Sequence, residues 1–426
     1  MSTNRILVSV FRRGAAAWTN EFAPNTSIPE GADYRTINRF PTGHIAPQDL
    51  TPLVDAGGYG VNSAFTAFIN HWKNVSYPVA CFVTLGNENP TRSHFYEQDR
   101  LDCGGVPYAR QNLGVYNRWS GLVDPPIPMS VLDLVTINKS PCRATIGLRQ
   151  IYASASSPTP RLIPALVSLA DQIIALAPLP TEDIRLTGRL NQKTALDTNV
   201  ALTTLVLPAS IPTDAVGAPK YPVGSPWGAR LRDTARMIIA GVKTRIFSVD
   251  FDGWDHHGSM GGTVNSPAGP MLHADLLATF NEGVNAFLHD MTASGNADRV
   301  TLLSQTEFHR TMRQNGNLAS GSDHGQSSHA YVWGPTVVSG LYGAPIDYRE
   351  NNATTYADVG SWQSPFNNRL LNGTMDYRAL QLALFEWLTG RTITMPERII
   401  IWGDGVPQTQ IDLAPAIQRN AIGINP

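Results

Sequence analysis

The C-terminal half of this 426-residue chain alternates short apolar segments with amphipathic segments of helical length. The pattern predicts strands at residues 244–251, 299–305 and 330–338, and helices at 267–292 and 376–388. Short strands that alternate with helices pair in parallel and carry helices on both faces of the sheet. The sequence therefore predicts an α/β fold, a three-layer sandwich with a mostly parallel central sheet.

The N-terminal half follows the same pattern less regularly. Two apolar strands are separated by long irregular stretches, and a helix is capped by Thr91 or Ser93. The 36 glycines and 31 prolines indicate many turns and ordered loops. We expect one domain over residues 1–426, with an insertion or lid at 180–226 and a C-terminal extension at 391–426.

Composition excludes several classes of partner. The formal net charge is −2 and no long run of Lys or Arg occurs, so nucleic acid and anionic membranes are poor candidates. Three cysteines are too few and too scattered for a disulfide framework or a thiolate zinc site. No segment approaches the roughly 18 apolar residues of a membrane span. We expect a cytoplasmic protein for the chain as it stands, and a periplasmic one if a leader peptide was removed.

Histidines accumulate just after predicted strands. In doubly wound sheets, ligands bind outside the carboxyl ends of the strands, so these side chains are candidates for one site. Six of the ten histidines have this position: His94, His256, His257, His309, His324 and His329.

The segment 250–258 reads Asp-Phe-Asp-Gly-Trp-Asp-His-His-Gly and follows the strand predicted at 244–251. Carboxylate oxygen and imidazole nitrogen are ligands typical of Zn, Mn or Fe. Asp255 and His257 are therefore candidate metal ligands, and His256 is a candidate catalytic residue. The alternative is a polar turn around a buried Trp254.

Two further segments carry acids and histidines at strand ends. Glu307 follows the strand at 299–305 and would point into the same cleft, or would form a surface pair with Arg310. Asp323 and His324 lie on a glycine-flanked loop, where they would bind metal or orient one another, or would form an Asx turn. His329 then enters the next strand.

Residues 90–95, Pro-Thr-Arg-Ser-His-Phe, precede a predicted helix. A hydroxyl at a helix N-terminus lies in a positive dipole, which suits a nucleophile or an oxyanion site. Ser93 is therefore a candidate nucleophile, Arg92 a candidate bidentate ligand for phosphate or sulfate, and His94 a further candidate catalytic residue. The alternative is simple helix capping by Ser93 or Thr91.

Taken together, these segments resemble a bacterial family known as domain of unknown function 1501, which is related to the alkaline phosphatase and sulfatase superfamily. The resemblance spans roughly residues 4–390. It rests on six segments in order: Phe11-Arg-Arg-Gly14, Arg92-Ser-His-Phe95, Gly253-Trp-Asp-His-His257, Thr306-Glu-Phe-His-Arg-Thr311, Asp323-His-Gly325 and Met375-Asp-Tyr-Arg378.

The resemblance implies an alkaline-phosphatase-like core in which strand-end Asp and His bind one or two divalent metals. A hydroxyl at a helix N-terminus would attack a phosphorus or sulfur centre, and Ser93 is the best-placed one. The chain departs from the family at Ala17, where an acid is usual, so one metal position is in doubt. The implied ligands are Asp255, His257, Glu307, Asp323 and His324, together with His329.

The first hypothesis is therefore a hydrolase of a phosphate or sulfate ester, dependent on a divalent ion such as Zn, Mn, Fe or Ca. Its substrate would be a small-molecule or glycan ester. A second hypothesis is a non-catalytic protein that binds carbohydrate or surface polymers, which the departure at Ala17 and the 9 Trp and 13 Tyr residues would suit. A metal enzyme acting on glycans is a third.

Overall fold

The structure is a computed structural model that describes residues 4–25, 27, 45, 47–86, 91–104, 114–123, 134–137, 150–153, 207–258, 273–314, 321–325, 327–343, 375–402 and 415–423. Its strands are β1 (Ile6–Arg12), β2 (Phe22–Pro24), β3 (Leu50–Pro52), β4 (Tyr59–Asn62), β5 (Val79–Gly86), β6 (Leu134–Ile137), β7 (Gln150–Ala153), β8 (Ile246–Phe251), β9 (Val300–Gln305), β10 (Arg310–Gln314), β11 (Ser322–His324), β12 (Ser328–Trp333), β13 (Gly340–Tyr342) and β14 (Met375–Asp376). Its α-helices are α1 (Thr66–Ile69), α2 (His94–Cys103), α3 (Val115–Val123), α4 (Pro226–Ile239), α5 (His273–Ala293), α6 (Tyr377–Thr389), α7 (Met395–Trp402) and α8 (Pro415–Ile422).

A nine-stranded sheet forms the centre of the fold. Its order is β13-β5-β12-β9-β1-β8-β6-β7, and β14 also pairs with β5. Every pairing is parallel except those of β12, which runs antiparallel to β5 and β9. The predicted mostly parallel sheet is therefore confirmed. Two small antiparallel sheets, β2-β4-β3 and β10-β11, lie outside it.

Side chains of the central strands alternate between two apolar layers. In β1, Val8 and Val10 belong to one core cluster, which also contains residues of α4 and α5. Leu7 belongs to the other, with residues of α3, α6, α7 and α8. Because successive side chains of a strand point to opposite faces, this alternation buries both faces of the sheet under helices. The predicted three-layer α/β architecture is confirmed.

Several elements differ from the prediction. In the N-terminal half, where the pattern is irregular, the structure contains α3 and β6. The strand predicted at 330–338 ends at Trp333, where Gly334-Pro335 follows, because proline has no N–H for a sheet ladder. No helix within the described ranges is both long and apolar enough to cross a bilayer.

The two segments predicted to be additions differ in how much of them is described. In the predicted insertion, residues 180–206 lie outside the described residues, and the remainder leads through a short 3-10 turn into α4. In the predicted extension, α7 and α8 contribute Ile401 and Ile422 to the same core cluster as α6. Arg419 of α8 also forms a 2.6 Å ion pair with Glu386 of α6. The division of the chain into these parts stays a prediction.

Candidate metal centre

Three segments bring polar side chains to one edge of the central sheet. His94 opens α2, which follows β5, and Asp255 and His257 follow β8. His324 ends β11, in the small sheet that follows β9. The strands β5, β8 and β9 all run in the same direction, so their carboxyl ends share this edge, which is where ligands bind in folds of this class.

Three imidazoles surround one carboxylate oxygen at this edge. The Nε2 atoms of His94 and His257 each lie 3.2 Å from Asp255 Oδ1, and that of His324 lies 3.5 Å from it. One ligand atom from each of the four residues lies within 4.8 Å of the others. Ligands of a tetrahedral zinc ion lie about 3.3 Å apart, given metal–ligand bonds of about 2.0 Å. We call these four residues the imidazole cluster.

The outer nitrogens of two of these rings are held by the protein. His94 Nδ1 lies 2.7 Å from Glu307 Oε1, and His324 Nδ1 lies 2.7 Å from the carbonyl oxygen of Arg92. Both partners only accept, so each Nδ1 carries a proton, and in the neutral form of each ring the unprotonated nitrogen is the inward Nε2. Both of these Nε2 atoms are buried and have no hydrogen-bond partner. A cation bound between them would satisfy both.

Burial, hydrogen bonds and neighbouring charges shift the pKa values of the cluster residues in different directions. Burial works to lower the pKa of His94, but the hydrogen bond and charge of Glu307 raise it. Burial lowers the pKa of His324, against the effect of the Arg92 carbonyl. Burial would raise the pKa of Asp255, yet Arg310 lowers it to about 2, so this carboxylate is ionised at neutral pH.

Arg310 fixes the carboxylate of the cluster. Its guanidinium is fully buried and contacts Asp255 Oδ1. The same group donates to the backbone carbonyls of Gly14, Ala15 and Ser322 at 3.0–3.2 Å. It thus joins three segments of the site. This role does not follow from the sequence, which suggested only a surface pair between Arg310 and Glu307. The five donors of an arginine side chain are the one signal that the sequence offers for it.

Two glycines allow the segments to approach closely. A Cβ on Gly14, whose φ is +116°, would lie 2.4 Å from the backbone nitrogen of Asp255. A Cβ on Gly321 would lie 2.3 Å from the backbone carbon of His257. Any other residue at either position would displace a segment that carries a cluster residue.

The remaining predicted residues of this region lie around the cluster. Glu307 contacts His94 from behind, and Asp323 Oδ1 lies 3.7 Å from His257 Nδ1. Ser93 is the N-cap of α2, and its hydroxyl makes no capping hydrogen bond. Arg92 has a φ of +61°, and its half-buried guanidinium has one buried nitrogen, Nη2, without a hydrogen-bond partner.

Two predicted site residues are not brought to the cluster. His329 points to the other side of the sheet edge, where its Nε2 lies 2.5 Å from Arg12 Nη2 and 3.4 Å from Glu21 Oε2. His256 is buried, with its ring centroid 6.3 Å from that of His273. Sequence spacing alone does not show these directions, since His256 and His257 are adjacent.

His329 belongs to a second, fully buried group that we call the arginine cluster: Arg12, Glu21, His273, His329 and Tyr331. Arg12 Nη1 forms a 2.6 Å ion pair with Glu21 Oε1, and Tyr331 donates to the same carboxylate. Burial works to raise the pKa of Glu21, but Arg12 and His329 lower it to about 2. Burial lowers the pKa of His273 to about 3 and that of His329 to about 4.

Ala17, the position of the expected family acid, borders the arginine cluster. Its side chain is fully buried, and its backbone N–H donates to His273 Nε2 at 3.2 Å. Arg12 provides a positive charge nearby, with its guanidinium 5.0–5.1 Å from the rings of Trp254, Phe280 and Tyr331. Ala17 therefore supplies no carboxylate at this position, and the region contains the buried guanidinium of Arg12.

The chain is similar in sequence to one protein family. The model of the family described as "Protein of unknown function (DUF1501)" matches residues 231–380. This range contains Asp255, His257 and His324 of the imidazole cluster, but not His94. No curated protein matches the sequence.

Three solved structures illustrate a distant similarity. The structure of Ps i-CgsB in complex with k-i-k-neocarrahexaose is 8% identical, with a TM-score of 0.36 over 92% of this chain and 74% of that one. The lipoteichoic acid synthase LtaP from Listeria monocytogenes is 8% identical, with a TM-score of 0.32 over 87% and 76%. The alkaline phosphatase from the Antarctic bacterium TAB5 is 11% identical, with a TM-score of 0.31 over 80% and 95%. Structural similarity at these TM-scores does not show what activity this chain has.

Proposed function

We propose that this protein is a zinc-dependent hydrolase of phosphate or sulfate esters, with the imidazole cluster as its metal site. One observation carries the proposal: the inward Nε2 atoms of His94 and His324 are buried without a hydrogen-bond partner beside the ionised Asp255. Buried imidazole nitrogens without a hydrogen-bond partner, beside an ionised carboxylate, form a set of donor atoms that a bound divalent cation would satisfy.

The donor set favours zinc among divalent ions. Three imidazole nitrogens and one carboxylate oxygen suit zinc, whereas magnesium and calcium require mostly oxygen ligands. When bound, zinc would act as a Lewis acid on an ester oxygen taken up as a fifth ligand. The side chains of Asp255 and His257 are each 47% exposed, which leaves the cluster open to a substrate.

The chain's own residues would bind the ester and supply the nucleophile. The guanidinium of Arg92 would bind two oxygens of the phosphate or sulfate group. Ser93 lies between Arg92 and His94 at the N-terminus of α2, where the backbone N–H groups of the first turn favour a developing anion. Its uncommitted hydroxyl is the nucleophile that we assign, and Arg310 would keep Asp255 in place. The substrate would be a small-molecule or glycan ester.

The proposal is tested by zinc content and hydrolysis in three proteins: wild type, His324→Ala and His71→Ala. His71 is the matched control, because its Nδ1 contacts the Tyr77 carbonyl at 2.7 Å in a separate part of the fold. We expect about one zinc ion per chain in wild type and His71→Ala, and loss of zinc in His324→Ala. Hydrolysis of p-nitrophenyl phosphate or sulfate should disappear with the metal.

Two results would count against the proposal in different ways. Wild-type protein that stays metal-free after exposure to zinc would remove the metal site. Protein that binds zinc but hydrolyses no phosphate or sulfate ester would keep the site and favour a binding protein, to be tested on immobilised glycans.

A further inference from the structure

Glu307 is the best-satisfied carboxylate near the imidazole cluster. Its side chain is fully buried, and its Oε1 accepts from Gly14 N at 2.8 Å, His94 Nδ1 at 2.7 Å and Gln98 Nε2 at 2.9 Å. Its Oε2 accepts from the hydroxyl of Thr306 at 3.2 Å. An oxygen of a carboxylate offers about two lone-pair positions, so three donors already saturate Oε1. Glu307 also contributes no atom to the group of four ligand atoms that lie within 4.8 Å of one another.

The same contacts fix which nitrogen of His94 faces the cluster. An ionised carboxylate only accepts, so the His94 nitrogen bonded to Glu307 must carry the proton. In the neutral ring the other nitrogen, Nε2, is then the one with a free lone pair for a metal ion, and it lies 3.2 Å from Asp255 Oδ1. Gln98 lies four residues after His94 on α2, on the same helix face, so both side chains reach one oxygen.

We propose that Glu307 is a positioning residue and not a metal ligand: it selects the His94 tautomer and ring orientation that complete the zinc site. The inference rests on the proposed function, because it needs a metal at the imidazole cluster. The turn after β1 contributes to this positioning, because Gly14 donates its N–H to Glu307 Oε1.

The test compares Glu307→Ala and Glu307→Gln, with Glu97→Gln as the control. Glutamine keeps a carbonyl oxygen that accepts from the three Oε1 donors, and the Thr306 hydroxyl can rotate to accept from the new amide. Glu97 is a buried glutamate of α2, and its Oε1 accepts from the backbone N–H and the hydroxyl of Thr91. Zinc affinity is measured by competition with a chromophoric chelator, and ligand geometry by the visible spectrum of the cobalt-substituted protein.

We expect Glu307→Ala to weaken zinc binding about 10- to 100-fold, the usual effect of losing a group that orients a ligand. Glu307→Gln should recover most of that loss, and Glu97→Gln should bind zinc as wild type does. The cobalt spectrum of Glu307→Gln should match that of wild type, because the metal ligands are unchanged.

Three outcomes separate the possibilities. An altered cobalt spectrum in Glu307→Gln, with affinity as low as in Glu307→Ala, would make Glu307 a ligand and overturn the inference. Wild-type affinity in Glu307→Ala would also overturn it, while leaving the zinc site in place. Absence of zinc binding in wild type would overturn the proposed function together with this inference. If Glu307→Ala does not fold, the spectrum and affinity of Glu307→Gln still decide between ligand and positioning residue.

Discussion

The imidazole cluster and the arginine cluster are built from the same kinds of side chain, but their inner atoms have different partners. In the arginine cluster, His329 Nε2 faces the Arg12 guanidinium and His273 Nε2 accepts from the Ala17 backbone. In the imidazole cluster, the Nε2 atoms of His94 and His324 have no hydrogen-bond partner. The guanidinium of Arg12 contacts both an imidazole and a carboxylate of its cluster, whereas Arg310 contacts the carboxylate of the imidazole cluster.

The difference shows that histidine and carboxylate content does not by itself define a metal site. A buried imidazole costs little when a protein donor occupies its lone pair, and the group then stabilises the fold. When the lone pairs converge without a donor, the same side chains favour a metal. The two clusters should therefore respond differently to mutation, with stability affected in one and metal binding in the other.

Glu21→Ala should produce the largest effect on stability. It leaves the Arg12 guanidinium buried without its ion pair, which typically costs about 3–5 kcal/mol in the free energy of unfolding. Chemical denaturation measures this loss. The control is Arg391→Ala: its ion pair with Glu397 has the same 2.6 Å length but lies at the surface, so we expect about 0–1 kcal/mol.

The folded fraction of Glu21→Ala should keep the zinc content of wild type, because no residue of the imidazole cluster contacts Glu21. A folded Glu21→Ala protein without zinc would show that the two clusters are coupled, and the comparison between them would fail. Equal destabilisation by Glu21→Ala and Arg391→Ala would show that burial does not set the energy of the Arg12 pair.

The fold was largely predictable because apolar periodicity reports burial directly. The strands at β8 and β9 and the helices α5 and α6 all follow from it within a few residues. Strand direction does not follow from periodicity, and the antiparallel β12 was not foreseen for that reason. Short elements within polar stretches, such as α3, gave too few apolar repeats to be recognised.

The candidate site was predictable as a set of strand-end residues but not as a geometry. Asp255, His257 and His324 were predicted as ligands, and the structure groups them with His94, which was predicted as catalytic. The orientation of each ring depends on partners far away in sequence, such as Glu307 for His94. Glu21 follows no predicted strand and carries no motif, so only the folded structure reveals its contact with Arg12.

Gly321→Ala tests whether the backbone contact with His257 maintains the imidazole cluster. The added methyl would collide with the backbone of His257, which should weaken zinc binding and cost about 1–3 kcal/mol of stability, as overpacking does. Gly258→Ala is the matched control, because it adjoins His257 yet its Cβ would meet no atom within 4 Å. Zinc competition and denaturation of both variants check the expectation. Equal zinc affinity in both would mean that the loop contact does not position His257.

Acid unfolding should separate the clusters through the slope of the unfolding free energy against pH. Burial lowers the pKa of His329 from 6.5 to about 4 and that of His273 from 6.5 to about 3, so the unfolded chain takes up protons before the folded one. Their contribution to stability is therefore complete above pH 6.5 and is lost as the pH falls towards 4 and 3, by up to about 1.4 kcal/mol per pH unit for each group. Glu21 adds a loss below its usual pKa of 4.5.

In chelator-treated protein, His329→Gln should reduce the slope of unfolding free energy against pH between 6.5 and 4 by about one proton. An unchanged slope would mean that His329 is not kept neutral by its burial beside Arg12, and that the arginine cluster is not the part of the molecule that sets acid stability.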